Sequence, residues 1–291
     1  MSASIGLIAS RLRLEEKRLL DAFAQRNVEV EVVDPRALRF GLTQTSLPWQ
    51  VALNREISGT RARYGALSLE AAGVTTLNSA KASEICGDKW QTSVALREAG
   101  VPTPHAALAL TPEAALDEIA EMGYPVVLKP LSSSWGKRVS LIRDADAAEA
   151  VLEHCAALPS PQAHLIYLQA YVEKPGRDIR VVVVGDQAVG AIYRSSKGWR
   201  TNVAKGATTT ICDLHGDLAD IAIGAARAVG ADIAGVDLVE DTDGRLLVLE
   251  VNSGVEFAGL QRALGEGCDV PGKIADLVIE RAGAVPAGAL S

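Results

Sequence analysis

The stretch from 233 to 252 constrains this chain more than any other. Apolar residues flank Asp243-Gly244, with Asp237 on one side and Glu250-Val-Asn252 on the other. Asp-Gly between two apolar runs is the chemistry of a two-residue hairpin, whose loop needs positive φ. A loop at Asp243-Gly244 puts Asp237 opposite Glu250, with Asn252 two residues on and facing the same way. Carboxylates opposed across two strands repel unless something neutralises them. Two carboxylates and an amide oxygen are hard ligands that suit Mg2+, an ion usually held together with substrate phosphates. The hairpin therefore points to a metal and a nucleotide.

At 291 residues the chain exceeds one comfortable core, so several subdomains are expected. The sequence divides into 1–87, 88–164 and 165–291. No apolar run reaches membrane-span length, which predicts a cytoplasmic protein with no membrane contact. Cys86, Cys155, Cys212 and Cys268 lie far apart with no Cys-x-x-Cys pair, the pattern of reduced thiols. A net charge of -7 argues against general nucleic-acid binding.

Short strands and helices alternate in the first third: strands at 4–9 and 28–33, helices at 15–25 and 60–72, and a helix capped by Ser79. The first turn lacks G-x-G-x-x-G, so no dinucleotide site is read there. Asp88 opens a helix closed by Gly100 and Pro102. Thr111-Pro112 starts another, because Pro suits the first helical position. Strands are predicted at 106–110, 124–129 and 139–142, then at 165–172, 178–184 and 188–194. A tight turn at Gly185-Asp186 puts Arg180 near residue 191 and Arg194 near Arg177. Residues 195–210 read as a polar loop, 217–229 as a helix, and a last helix starts near Pro271.

Lys129 ends the apolar strand Tyr-Pro-Val-Val-Leu-Lys, and an ammonium set in a cleft calls for an anion such as a phosphate. The following Ser132, Ser133, Ser134, Trp135, Gly136, Lys137 and Arg138 form a small-residue loop able to approach phosphate oxygens. It is not a Walker loop. The strand exit Gln169-Ala170-Tyr171-Val172 offers backbone groups to an adenine edge. Asp178 and Arg180 share a strand face, and Arg194 ends the next strand. The loop from Ser195 to Gly206 carries Lys197, Arg200 and Lys205 around Trp199 and Asn202, cations that suit an acidic partner. No G-x-S-x-G, H-E-x-x-H or Cys–His pair is present.

Taken together these motifs resemble an ATP-grasp ligase over about 85–282, with residues before them similar to a pre-ATP-grasp domain. The fold implied is α/β (α+β), two subdomains clamping ATP behind an N-terminal α/β domain. Cys86-Gly-Asp-Lys89-Trp, Tyr171-Val-Glu-Lys-Pro-Gly-Arg-Asp-Ile-Arg180 and Asn252-Ser-Gly-Val-Glu256-Phe257 are similar to the LysX/ArgX branch, close to RimK. Such ligases join the α-amino group of an amino acid, such as 2-aminoadipate or glutamate, to the γ-carboxyl of the C-terminal Glu of a small acidic carrier, LysW. A RimK-like glutamate ligase acting on a protein tail or small cofactor is the alternative.

The resemblance implies that Lys89, Lys129 and the 132–138 loop contact ATP, with Gln169, Ala170, Tyr171, Val172 and Asp178 around the nucleotide. It implies Mg2+ on Asp237, Glu250 and Asn252. Arg180, Arg194 and Asn202 would lie near the acyl phosphate, and Glu256 and Phe257 near the substrate, with Arg55 and Ser58 reaching it from the N-terminal domain. Relatives form homo-oligomers, so a dimer or tetramer is expected. Ala170 stands where relatives carry Glu, and the run from Lys205 to Thr210 departs from them on the substrate side.

Overall fold

Packing of three sheets fixes where the candidate residues meet. The computed structural model describes residues 4–43, 47–132, 138–196, 198–199, 208–265 and 268–283. The chain opens with β1 (Ile5–Ile8), α1 (Leu14–Gln25), β2 (Val30–Val33), β3 (Val51–Asn54), α2 (Gly59–Ala71) and β4 (Thr75–Leu77). These strands form a parallel sheet in the order β2-β1-β3-β4. β1 is buried along its whole length, as a strand covered on both faces must be.

Next come α3 (Ala80–Cys86) and α4 (Lys89–Glu98). Asp88 caps α4 by accepting from the Gln91 N–H at 3.0 Å. A second sheet follows, built from β5 (Ala106–Ala109), α5 (Pro112–Met122), β6 (Val126–Lys129), β7 (Ser140–Ile142), α6 (Ala145–Ala156) and β8 (Ile166–Ala170). Its order is β5-β8-β6-β7, all antiparallel. β8 thus belongs to this sheet, and a boundary at 164/165 would cut it. We propose the division between 170 and 177 instead.

The third sheet comes from β9 (Arg177–Val184), β10 (Gln187–Ser195), β11 (Thr208–Cys212), β12 (Ile233–Glu240) and β13 (Leu246–Asn252), with α7 (Gly216–Ala228) between β11 and β12. Its antiparallel order is β11-β10-β9-β12-β13. α8 (Ala258–Leu264) and α9 (Val270–Arg281) close the described chain. The polar loop expected through 210 is shorter than read, because Thr208–Cys212 pairs with β10 as an edge strand. Its Thr-Thr-Thr sequence is β-branched, so it suits a pleated surface despite its polarity.

The first and third sheets share one core. Ile5, Leu7 and Phe23 pack in the same cluster as Val182, Ile233 and Val278. Ala82 of α3 and Leu96 of α4 pack with Val181, Val236 and Val248 of the third sheet. The second sheet keeps its own core beneath α5 and α6, where Val126, Leu128, Ile166 and Leu168 are buried. Lys89 therefore rides on a helix anchored to the third sheet, while Lys129 projects from the second.

Both hairpins depart from the simple register, and in opposite consequence. β12 ends at Glu240 and β13 starts at Leu246, so the loop is five residues rather than two. A bulge then skips Leu249, and beyond it Asp237 faces Glu250 as predicted. The two deviations cancel at the site. In the β9–β10 pair a bulge at Val189 is not cancelled, and Arg194 lies opposite Asp178 instead of Arg177. No helix of the described residues is long and apolar enough to cross a membrane.

Candidate active site

Lys129 lies at the end of β6, opposite Tyr167. Its ammonium donates to Gln169 Oε1 at 2.5 Å. Burial pushes its pKa down from 10.5 to about 8, and the carboxylate of Glu250 only partly offsets this. The like charges of Lys89 and Lys174 add to the lowering. The Lys89 N–H donates to Leu131 O at 3.1 Å, tying the first turn of α4 to the segment leaving β6.

Across the cleft, Asp237 is buried and neutralised by arginines rather than waiting for a cation. Arg180 Nε lies 2.5 Å and Arg194 Nη2 3.0 Å from its Oδ1. Burial alone would raise the Asp237 pKa, but Arg180 and then Arg194 outweigh it and hold the group ionised. Arg194 also takes both oxygens of Asp178, at 2.6 and 2.9 Å. That fork-to-fork pairing lets Asp178 orient Arg194. Gly235 makes room for Arg180, because a Cβ there would collide with the guanidinium. Arg177 lies outside this cluster, 3.9 Å over the Tyr193 ring and bonded to Glu240.

Repulsion between facing carboxylates therefore does not by itself demand a metal here. Glu250 has no ion-pair partner among the described residues. The Asn252 amide donates to Gly235 O at 3.3 Å, and among the described residues its Oδ1 is an uncommitted acceptor. No three His, Cys, Asp or Glu side chains cluster among the described residues. A hard divalent cation accordingly fits Glu250 and Asn252, with Asp237 adjacent across the register.

At the strand exit, Gln169 and Ala170 remain in the β8 ladder, and the Ala170 N–H donates to His105 O at 2.8 Å. Of the four exit residues only Tyr171 and Val172 have left the sheet. With Ala170, His105, Arg245 and Leu247 they line a cleft of about 360 Å³. Ser133, Ser134, Trp135, Gly136 and Asn202 lie outside the described residues.

The N-terminal candidates have other work. Arg55 is buried, donates to Glu16 Oε1 at 3.0 Å and to Val255 O at 2.8 Å, and so braces the segment after Asn252. Ser58 caps α2 by accepting from the Arg61 N–H. Neither geometry shows the substrate reach expected of them. Phe257 is fully buried in the core shared by the first and third sheets. Glu256 is about half exposed and pairs with Arg13 at 3.3 Å.

Two residues were missed by sequence reasoning. Asn78, buried, donates to Ile233 O at 2.7 Å and Ser253 O at 2.9 Å and accepts from Ile233 N–H at 2.8 Å. It pins both ends of the Asp237–Asn252 hairpin to the first sheet. Tyr167 reads as a core aromatic yet bonds Ser93 at 2.8 Å and Gln169 at 3.1 Å. Nothing in the local pattern signals either, since Ser93, Ile233 and Ser253 lie far off in the chain.

Comparison with known proteins agrees with this geometry. Residues 86–278 match a RimK-like ATP-grasp domain, and residues 5–85 match a LysX preATP-grasp domain. The chain is 32% identical over 261 residues to the glutamate–LysW ligase ArgX of Sulfurisphaera tokodaii, covering 89% of this chain and 93% of that one. It is 31% identical over 227 residues to the alpha-aminoadipate–LysW ligase LysX of Sulfolobus acidocaldarius, covering 78% and 82%. The crystal structure of a RimK domain ATP-grasp protein from Sphaerobacter thermophilus superposes with a TM-score of 0.80 at 31% identity, over 95% of this chain and all of that one. With Lys129 on the second sheet, Lys89 on α4, carboxylates and arginines on the third sheet, and these matches along its length, the chain belongs to the RimK-like ATP-grasp family.

Proposed function

We propose that this protein uses ATP to join the α-amino group of an amino acid to the γ-carboxyl of the C-terminal glutamate of a LysW-type carrier protein. What carries the carrier reading is the end-to-end match to a LysW ligase, including the LysX-type domain at 5–85. A carboxylate oxygen attacks the γ-phosphorus, ADP leaves, and an acyl phosphate forms. The amine nitrogen then attacks the acyl carbon, loses a proton, and phosphate departs. No nucleophilic side chain is required, because the protein positions the reactants and offsets charge.

The cleft supplies groups for each task. Lys89 and Lys129 take the phosphates. Backbone groups of Tyr171 and Val172 take the adenine edge. Arg180 and Arg194 are proposed to offset the charge that develops on the acyl phosphate, a role supported by their ordering on Asp237 and Asp178. Asp237, Glu250 and Asn252 would hold Mg2+, which when bound neutralises phosphate charge. Ser133, Ser134, Trp135, Gly136 and Asn202 are proposed to complete the site.

The test is the intact mass of a LysW-type carrier ending in glutamate, incubated with this protein, Mg-ATP and a pool of amino acids. A gain of one amino acid less water is the expected outcome, and the added mass names the amino acid. No gain on the carrier, with glutamate-dependent ADP release on other acceptors, would replace it with a RimK-like glutamate ligase.

A further inference from the structure

We propose that Gln169 is the positioning residue for Lys129, itself held by Tyr167 and, behind that, Ser93. The inference rests on the reading of Lys129 as a phosphate-binding group. It starts from strand alternation. Val126, Leu128, Ile166 and Leu168 face the core under α5 and α6. The alternate residues Lys129, Tyr167 and Gln169 therefore share the opposite face of the sheet. There a continuous chain runs from Lys129 Nζ to Gln169 Oε1, from Gln169 Nε2 to the Tyr167 hydroxyl, and on to Ser93 Oγ of α4.

Lysine's charge dictates the direction of that chain. An ammonium only donates, so Gln169 must present Oε1 to it. Its Nε2 then faces Tyr167, whose oxygen accepts and whose proton is left for Ser93. A flipped amide would set NH2 against the ammonium and leave the phenol without a donor. Gln169, Tyr167 and Ser93 are 2%, 1% and 8% exposed, so solvent has little access to replace a lost partner. One N–H of Lys129 is thus anchored, and among the described residues two remain for a ligand.

The anchor's neutrality matters as much as its position. A carboxylate at 169 would form an ion pair with Lys129 and compete with phosphate for it. An amide dipole fixes direction without cancelling the charge. This chain also ties Lys129 on the second sheet to the helix that carries Lys89 at its first turn. The two lysines are thereby held in one frame.

The experiment is a double-mutant cycle on ATP binding, read by calorimetry with a non-hydrolysable analogue and by steady-state kinetics. Gln169→Leu is expected to weaken nucleotide binding and raise KM for ATP roughly tenfold, the scale of losing a supporting partner behind a ligand-binding group. KM for the amino acid should stay unchanged. In a Lys129→Met background the same substitution should cost nothing further. Gln169→Glu should also weaken ATP binding, by pairing with the lysine. Tyr167→Phe removes a single oxygen and gives a smaller loss in the same direction, which keeps the test intact if Gln169→Leu fails to fold.

Folded Gln169→Leu protein with unchanged ATP affinity overturns the inference, as does full additivity with Lys129→Met. Unchanged affinity in Lys129→Met alone overturns the phosphate role of Lys129 and this inference with it. The carrier mass assay, run on the unaltered protein, then shows whether the ligase reading survives.

Discussion

The two walls of the cleft bury charge by opposite means. On the third sheet Asp178, Asp237, Arg180 and Arg194 neutralise one another, two anions against two cations at salt-bridge distance. On the second sheet the hydrogen-bond partner of Lys129 among the described residues is a neutral amide. The first arrangement keeps its charges: Asp237 is held below the usual carboxylate range, and Arg194 is raised because its two aspartates outweigh burial. The second leaves Lys129 with a depressed pKa and an unbalanced charge facing the cleft. A compensated cluster makes a rigid wall. An uncompensated cation makes a binding group, because an incoming anion supplies what burial removed.

Breaking the compensated wall should have the largest effect. Arg194→Met removes the cation shared by Asp178 and Asp237 and leaves buried carboxylates short of a partner. Urea unfolding should show a loss of about 3–5 kcal/mol. A loss below ~1 kcal/mol would mean that the cluster is wet and that the contrast between the walls is false. Glu250→Ala sharpens the comparison from the other side. Glu250 has no ion-pair partner among the described residues, so thermal unfolding should hardly move. ADP release should nevertheless fall by at least about a hundredfold, as expected for a cation ligand. Retained turnover would remove Glu250 from the metal set.

Gly235 offers a finer cut. Its missing Cβ is what lets Arg180 lie across β12 toward Asp237. Gly235→Ala should cost about 1–3 kcal/mol, the range for overpacking a filled site, because the guanidinium must shift. Mg2+ titration of this variant should show a changed midpoint if Arg180 and the cation share Asp237. An unchanged midpoint would separate the arginines from the metal site.

The same contrast explains what was legible in the sequence. Lys129, Asp237, Glu250 and Asn252 sit on strands whose apolar alternation sets their faces, so their meeting could be read from periodicity and a turn. Bulges at Val189 and Leu249 could not, since a bulge has no fixed sequence signature and is decided by packing across the sheet. One spoiled the pairing of Arg194, and the other restored that of Glu250 by offsetting a longer loop. The arginine neutralisation of Asp237 was hidden for the same reason: it depends on the exact register of three strands. Phe257 entered the candidate set through the Glu256-Phe257 signature of the resemblance, and Arg55 as a residue of the N-terminal domain that would reach the substrate. Their partners, Glu16, Val255 and the shared core, come from the other end of the chain. Tyr167 and Asn78 were hidden because an isolated Tyr in a strand or an Asn before a helix is ordinary until its distant partners are seen.

The smallest expected effect, on pH dependence, tests the uncompensated wall directly. Lys129 has a folded pKa of about 8 against 10.5 for an ordinary lysine, with burial as the main cause. The unfolded chain therefore binds more protons than the folded one between those values. Its contribution makes stability rise with pH across that window, and the cost of holding a charged Lys129 is fully present below pH 8. ATP binding needs the opposite state, the charged one. kcat/KM for ATP reports the free enzyme, so it should decline as pH rises through about 8 while Lys129 loses its proton. In the bound complex the phosphates favour the ammonium, so the kcat profile should break at higher pH. Gln169→Glu would place an anion beside Lys129 and should move the kcat/KM break upward as well. A kcat/KM profile flat through pH 9 to 10 would mean that Lys129 is as well compensated as Arg194, and the two walls would then be alike.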